Sequence, residues 1–261
     1  MNDVRTEILN RLRRAEAEHG VHILFAVESG SRAWGFSSPD SDYDVRFVYL
    51  HEPLWYQSVD LEERRDVIEY PIVDEIDLNG WDARKALRLF WKSNPAFVEW
   101  IQSPIVYLEQ DDFRQRAVEA IPTIYRPEKG IYHYRSMAKT NYRGYLQESM
   151  VRLKKYFYVM RPLLAARWIN RTQAAPPIEL SKLMAELDGE HGVLAAVNTL
   201  LEKKRMTAEL GLADSVPELN AFIEAELNRP VEPAPEKPRS PDVVALLNEI
   251  FHKSLSGFAA N

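Results

Sequence analysis

The sequence predicts an α+β protein in which helices and strands alternate through residues 1–110 and helices alone fill residues 111–261. Strand-length runs rich in Val, Ile, Phe and Tyr fall only in the first part, at residues 21–27, 42–50, 67–70 and 72–78. Beyond residue 111, apolar positions recur at helical spacing over long segments. A third observation gives the first part a purpose. The small-residue turn Gly30-Ser31 is separated by ten residues from Asp42-Tyr43-Asp44-Val45, at the start of a strand.

In order along the chain, residues 3–19 read as an amphipathic helix with Ile8, Leu9 and Leu12 on one side and Gly20 as its stop. The apolar run 21–27 is a strand, and Glu28-Ser29-Gly30-Ser31 turns out of it. Residues 32–36 form a short helical turn, 37–41 are loop chemistry, and 42–50 resume as a strand. A connection with helical character, 52–65, leads to a β stretch split by Pro71 and ended by Asn79-Gly80. Helices follow at 82–92 and 96–101, with Asn94-Pro95 between them and Ser103-Pro104 closing the second. The later helices are expected at 111–120, 130–148, 151–170, 181–187, 192–209 and 217–227. Residues 228–241 are a proline-rich arm, and Ser240-Pro241 starts a terminal helix with a cap residue followed by Pro at its first position.

No apolar run reaches the ~18 residues of a membrane span, and the N-terminus lacks a signal-peptide core. Cysteine is absent, which excludes disulfides, thiolate zinc sites and thiol catalysis. These features point to the cytoplasm. The net charge of −6 argues against a protein coated in positive charge for nonspecific nucleic-acid binding. The charge is uneven, however: residues 126–171 carry eleven Lys/Arg against two acids, Glu128 and Glu148, which favours an anionic partner there.

Alternate strand positions share a face, so Asp42 and Asp44 project together. Two carboxylates that close repel unless a cation lies between them, and a hard ion such as Mg²⁺ suits oxygen ligands. Gly30 and Ser31 offer backbone N–H groups and a hydroxyl for phosphate oxygens. A third carboxylate is expected where two ions are held together. Asp77 is the candidate and also a possible general base, with Glu75 on its face and Glu69 on the neighbouring stretch as alternatives. Arg32 and Arg46 flank the acids and suit phosphate, or pair with the acids instead. Trp34 and Phe36 are base-stacking candidates or core aromatics. In the helical part, Lys155, Tyr158 and Arg161 share a helix face, and Arg135, Lys139 and Tyr142 make a similar stripe; both suit a triphosphate and its base. His133 reads as structural.

With these residues in view, the chain resembles the DNA polymerase β-type nucleotidyltransferase superfamily through Gly30-Ser31 and Asp42-x-Asp44. It also resembles the nucleotidyltransferases of the YcgL type, the RNA-repair-pathway DNA polymerase β (RlaP) family. That likeness runs over residues 21–180. It rests on Glu28-Ser29-Gly30-Ser31-Arg32-Ala33-Trp34-Gly35-Phe36, Ser41-Asp42-Tyr43-Asp44-Val45-Arg46, Asn94-Pro95…Glu99-Trp100…Ser103-Pro104 and Lys155-Tyr156-Phe157-Tyr158…Arg161-Pro162. The resemblance implies a small mixed sheet with flanking helices, two Mg²⁺ ions on three carboxylates, and NTP as donor. The family label implies addition or repair at RNA ends. Protein, a small hydroxyl compound, or no acceptor at all (a nucleotide or RNA sensor) are the other readings.

Overall fold

The computed structural model describes residues 2–206, 211–230 and 240–258. Most of the expected proline-rich arm, 231–239, and the end of the expected 192–209 helix lie outside the described residues. The contact pattern divides the chain into two compact units. The first comprises Met1–Ala33, Asp42–Ile124 and Pro238–Asn261, and the second Trp34–Ser41 and Tyr125–Lys237. This division differs from the expected boundary at 110/111: by contacts, the helix after residue 111 and the terminal helix group with the sheet, and the Trp34–Ser41 segment groups with the helices.

The first unit contains α1 (Asn2–His19), β1 (His22–Ser29), α2 (Gly30–Ala33), β2 (Tyr43–Leu50), β3 (Val67–Glu69), β4 (Ile76–Asp82), α3 (Ala83–Trp91), α4 (Pro95–Ile101), β5 (Val106–Glu109) and α5 (Phe113–Ile124). Its sheet has the order β3-β4-β2-β1-β5, with β2 and β4 parallel and the other neighbours antiparallel, so it is mixed. Ile8, Leu12 and Ala15 of α1 pack with Val45, Phe47 and Tyr49 of β2 and Ile76 and Leu78 of β4. By strand alternation, Asp44, Arg46 and Asp77 face away from that core. Helices α3, α4 and α5 pack against β1, β2 and β4, with Phe25 of β1 stacked 6.1 Å from Phe113 of α5.

Three expectations needed correcting in this unit. Residues 52–65 form no α-helix but a 3₁₀ turn at Trp55–Gln57 followed by hydrogen-bonded turns up to Arg64, and their aromatics fold back: Trp55 stacks 3.9 Å from His51, and Tyr56 donates to Asp82 at 2.6 Å. Strand β4 does not stop at Asn79-Gly80 but runs to Asp82. Gly80 is paired with Phe47, whose ring occupies the space a Cβ would need, 2.2 Å away. Strand β5 was not anticipated; it is four residues long and leans on Arg5, which donates to the Val106 and Tyr107 carbonyls at 2.9 and 3.1 Å.

The second unit contains α6 (Pro127–Tyr145), β6 (Met150–Arg152), α7 (Lys154–Thr172), α8 (Leu180–Leu183), α9 (His191–Met206), β7 (Leu212–Asp214) and α10 (Pro217–Asn228). The expected all-helical character holds except for the two-stranded β6-β7 ladder. Its strands are three residues each, too short to leave a periodic signal. Tyr156 of α7 ties the ladder to α10, accepting from Val216 N at 2.8 Å and donating to Asn220 at 2.8 Å. The terminal helix, α11 (Pro241–Phe258), rests on α3 and α5 of the first unit, where Arg116 donates to the Ile250 carbonyl at 3.2 Å. Among the described residues no helix is long and apolar enough to cross a membrane.

Candidate active site

The turn after β1 opens on Gly30, whose φ of 63° lies in the left-handed region. A Cβ there would fall 2.0 Å from Asp44 Oδ2, so only glycine lets that carboxylate rest against the turn. The parallel register of β2 and β4 then sets Asp77 directly beside Asp44. The two carboxylates share Arg46, whose Nη2 is 3.2 Å from Asp44 Oδ1 and 2.7 Å from Asp77 Oδ2. Arg46 Nη1 donates to the Val45 and Asp77 carbonyls at 3.0 and 2.9 Å. Asn79 donates to Asp77 Oδ1 at 2.5 Å.

Asp42 lies one residue before the strand and is exposed. Its carbonyl accepts from Arg32 Nε at 3.2 Å, and the Arg32 guanidinium lies 3.8 Å over the Tyr43 ring. The Asp44 carboxyl is raised above the usual carboxylate range, chiefly by burial; Arg46 opposes this, while the charges of Asp77 and Asp42 add to it. Of the three candidates for the third acid, Asp77 alone stands beside Asp44. Glu69 is exposed and pairs with Arg65 at 2.7 Å. Glu75 is exposed, and what it lends to β2 is its backbone carbonyl, 2.7 Å from Tyr43 N.

An all-oxygen set crowded around Asp44, with its proton affinity raised, fits a hard divalent cation that would relieve the crowding. The fit is not that of a ready-made cage. Among the described residues no three acidic or imidazole side chains converge into one, and Arg46 takes one oxygen from each of Asp44 and Asp77.

Sequence reasoning missed Glu28, which it read as part of the turn. The residue is fully buried; its carboxylate accepts from Asp44 N at 2.9 Å and from the Tyr107 hydroxyl. Burial pushes its pKa up to about 7, with the Asp44 charge adding and the two hydrogen bonds opposing. A signal was present: Glu28 directly follows the apolar run of β1, where an acid has no route to solvent.

The remaining expected residues belong to the second unit. Arg161 is buried, with its guanidinium 4.4 Å over Trp34 and its Nε donating to the Ile178 carbonyl at 2.9 Å. Tyr158 meets Trp34 edge-on at 6.0 Å, and Lys155 Nζ lies 4.0 Å over Tyr145 and 5.0 Å over Tyr158. The expected face of α7 therefore exists, stacked with Trp34. Phe36 is core, stacked 4.9 Å from Phe157. The α6 stripe is not assembled: Lys139 is exposed, Tyr142 donates to Glu224 at 2.6 Å, and Arg135 donates to the Glu226, Leu227 and Arg229 carbonyls that end α10. His133 is half-buried and held below the usual imidazole range by burial and by Lys129.

An uncharacterized protein, YcgL, of Bacillus subtilis (strain 168) is 46% identical over 249 residues, covering 95% of each chain. A nucleotidyltransferase-like protein from Exiguobacterium sibiricum 255-15 aligns over 94% of this chain and 88% of its own at 11% identity, with a TM-score of 0.30. The model of the RNA repair pathway DNA polymerase beta family matches residues 4–253, and the chain belongs to that family.

Proposed function

We propose that this protein is a divalent-metal-dependent nucleotidyltransferase that moves a nucleoside monophosphate from an NTP to the hydroxyl of an RNA end. The single observation that supports it most is the pairing of Asp44 with Asp77 across parallel strands, with the Asp44 carboxylate against the Gly30 turn. Membership in a polymerase β-like family supports the transferase class, and the family's RNA-repair name supports RNA as acceptor.

Asp42, Asp44 and Asp77 would hold the metal, with Mg²⁺ as the ion and two ions as the complement. The ion held by these carboxylates would supply charge neutralisation of the triphosphate and a lowered pKa for the attacking hydroxyl. The backbone N–H groups of Gly30 and Ser31 bind phosphate oxygens. Asp77 takes the proton of the attacking hydroxyl as that oxygen bonds to the α-phosphorus, and pyrophosphate leaves. Arg32 is a further phosphate contact, whereas Arg46 serves as the counter-ion of the two acids. Lys139, Lys155 and Tyr158 are the proposed anion and base contacts of the second unit, with the buried Arg161 supporting Trp34.

One observation favours a second reading. Arg46 already neutralises Asp44 and Asp77, which would also suit a protein that binds nucleotide without turning it over. The test is incubation with each labelled NTP and Mg²⁺, in turn with RNA, protein and small hydroxyl acceptors. Label on RNA, lost in Asp42→Asn, is the expected result. Label only on protein or a small molecule replaces the acceptor, and tight NTP binding without transfer selects the second reading.

A further inference from the structure

The Asn94…Pro104 block stands out in the sequence, yet none of its residues enters the reaction. Asn94 caps α4, its Oδ1 accepting from Ala96 N at 2.9 Å and Phe97 N at 3.3 Å, with Pro95 at the first helical position. This fixes where α4 begins, and beyond its other end, capped at Gln102, the block delivers a grip on one residue. Ser103 Oγ donates to the Glu28 carbonyl at 2.6 Å, and the Ile105 carbonyl accepts the Glu28 N–H at 2.9 Å. The β1–β5 register shifts between Ala26 and Val27, where β5 steps from Leu108 to Val106. Tyr107 is thus the unmatched residue of a bulge, a device that re-aims a side chain. Its hydroxyl donates to Glu28 Oε2.

Glu28 passes this grip on. Its Oε1 takes the Asp44 N–H at 2.9 Å, at the end of β2 next to the Gly30 turn. Burying a carboxylate is costly, and a neutral strand residue would pack there without that cost. The one thing a neutral aliphatic residue could not do is accept the Asp44 N–H and the Tyr107 hydroxyl together.

We propose that Glu28, clamped by Ser103, Ile105 and Tyr107, is a positioning residue that holds the Asp44 main chain in the geometry its carboxylate needs to bind a cation. What Asp44 binds rests on the nucleotidyl-transfer reading; the brace itself does not.

Two readouts on the full-length chain test this. One is hydrogen exchange at the Asp44 amide, the other Mn²⁺ affinity by titration. In Tyr107→Phe and Glu28→Ala, faster Asp44 exchange and roughly tenfold weaker Mn²⁺ binding are expected, the size typical of outer-shell partners. Glu28→Gln, which keeps an acceptor for the Asp44 N–H, recovers most of both. If Glu28→Ala does not fold, Tyr107→Phe and Ser103→Ala carry the comparison. Exchange at Asp44 and Mn²⁺ affinity both unchanged in folded variants would overturn the proposal, as would Glu28→Gln behaving like Glu28→Ala. If the unmodified protein binds no Mn²⁺, the transferase reading fails, while Asp44 exchange alone still decides the brace.

Discussion

The sheet unit buries the carboxyls of Glu28, Asp82 and Glu99 and half-buries that of Asp44, whereas the helical unit buries the cations Arg161 and Lys204 and one carboxyl, Glu226, which arginines surround. The two sets are treated differently. Glu28 and Asp82 are met mainly by hydrogen bonds from Tyr107, Tyr56 and backbone amides, and burial raises both, Asp82 to about 6. The cations of the helical unit are absorbed by their own unit: Arg161 lies on Trp34, Lys204 lies 4.8 Å from the Phe36 ring, and Arg167 is held by Glu226 and Glu190. Electrostatic cost that a cationic ligand could relieve is therefore concentrated in the sheet unit. Positive charge in the helical unit is largely spent on its own architecture.

The strongest way to break this contrast is Glu226→Ala. It strips the bidentate partner from Arg167, held at 2.7 and 2.8 Å, and leaves a largely buried guanidinium with the Glu190 carboxylate at 2.6 Å and the Glu186 carbonyl at 2.8 Å. A loss of about 2 kcal/mol in urea unfolding is expected, rising to about 3 kcal/mol when Glu190→Ala is added; a double variant that loses less than ~1 kcal/mol would mean the helical unit's bases do not depend on these internal partners.

Gly30→Ala comes next. The left-handed φ alone costs about 1–2 kcal/mol, and the added methyl drives the Asp44 carboxylate off the turn. Transfer activity should fall further than stability does, which parallel unfolding and turnover assays would read.

The contrast also sets opposite pH slopes. The Asp82 pKa is raised in the folded state, so its contribution is fully present below about pH 4 and is lost as pH rises through about 6. Lys204 is lowered to about 8 by burial and by Lys154, so its penalty is full below about pH 8 and fades as pH rises toward 10.5. Urea midpoints across pH 4–10 should lose the first slope in Asp82→Asn and the second in Lys204→Met.

The smallest effect is expected from Lys139→Ser, at an exposed position: stability changes by less than about 0.5 kcal/mol. Any fall in RNA binding in that variant would then report a direct anion contact.

What the sequence revealed is what neighbours along the chain determine. The Gly30 turn, the Asp42-x-Asp44 pair, β1, β2 and the helices α1, α3 and α4 were legible because periodicity and cap residues are local. Asp77 was chosen with Glu75 and Glu69 kept as alternatives, since what sets it apart is a parallel register between residues 33 positions apart, which no local pattern records. The run of bases at 126–171 pointed to an anionic partner, yet Arg167, Arg171 and Tyr142 find Glu226, Glu190, Glu186 and Glu224, which lie outside that window. Glu28 was passed over because its partner hydroxyl, Tyr107, is 79 positions away.

The chain passes between the two units at four points: 33/34, 41/42, 124/125 and 237/238. Neither unit is a continuous stretch of polypeptide, and no single cut separates them cleanly. Truncation after residue 110 would remove α5 and α11 from the sheet and leave Phe25 and the flank of α3 exposed. A gene fragment encoding either half would be expected to yield insoluble material, so these two units are bound to be inherited, expressed and lost together.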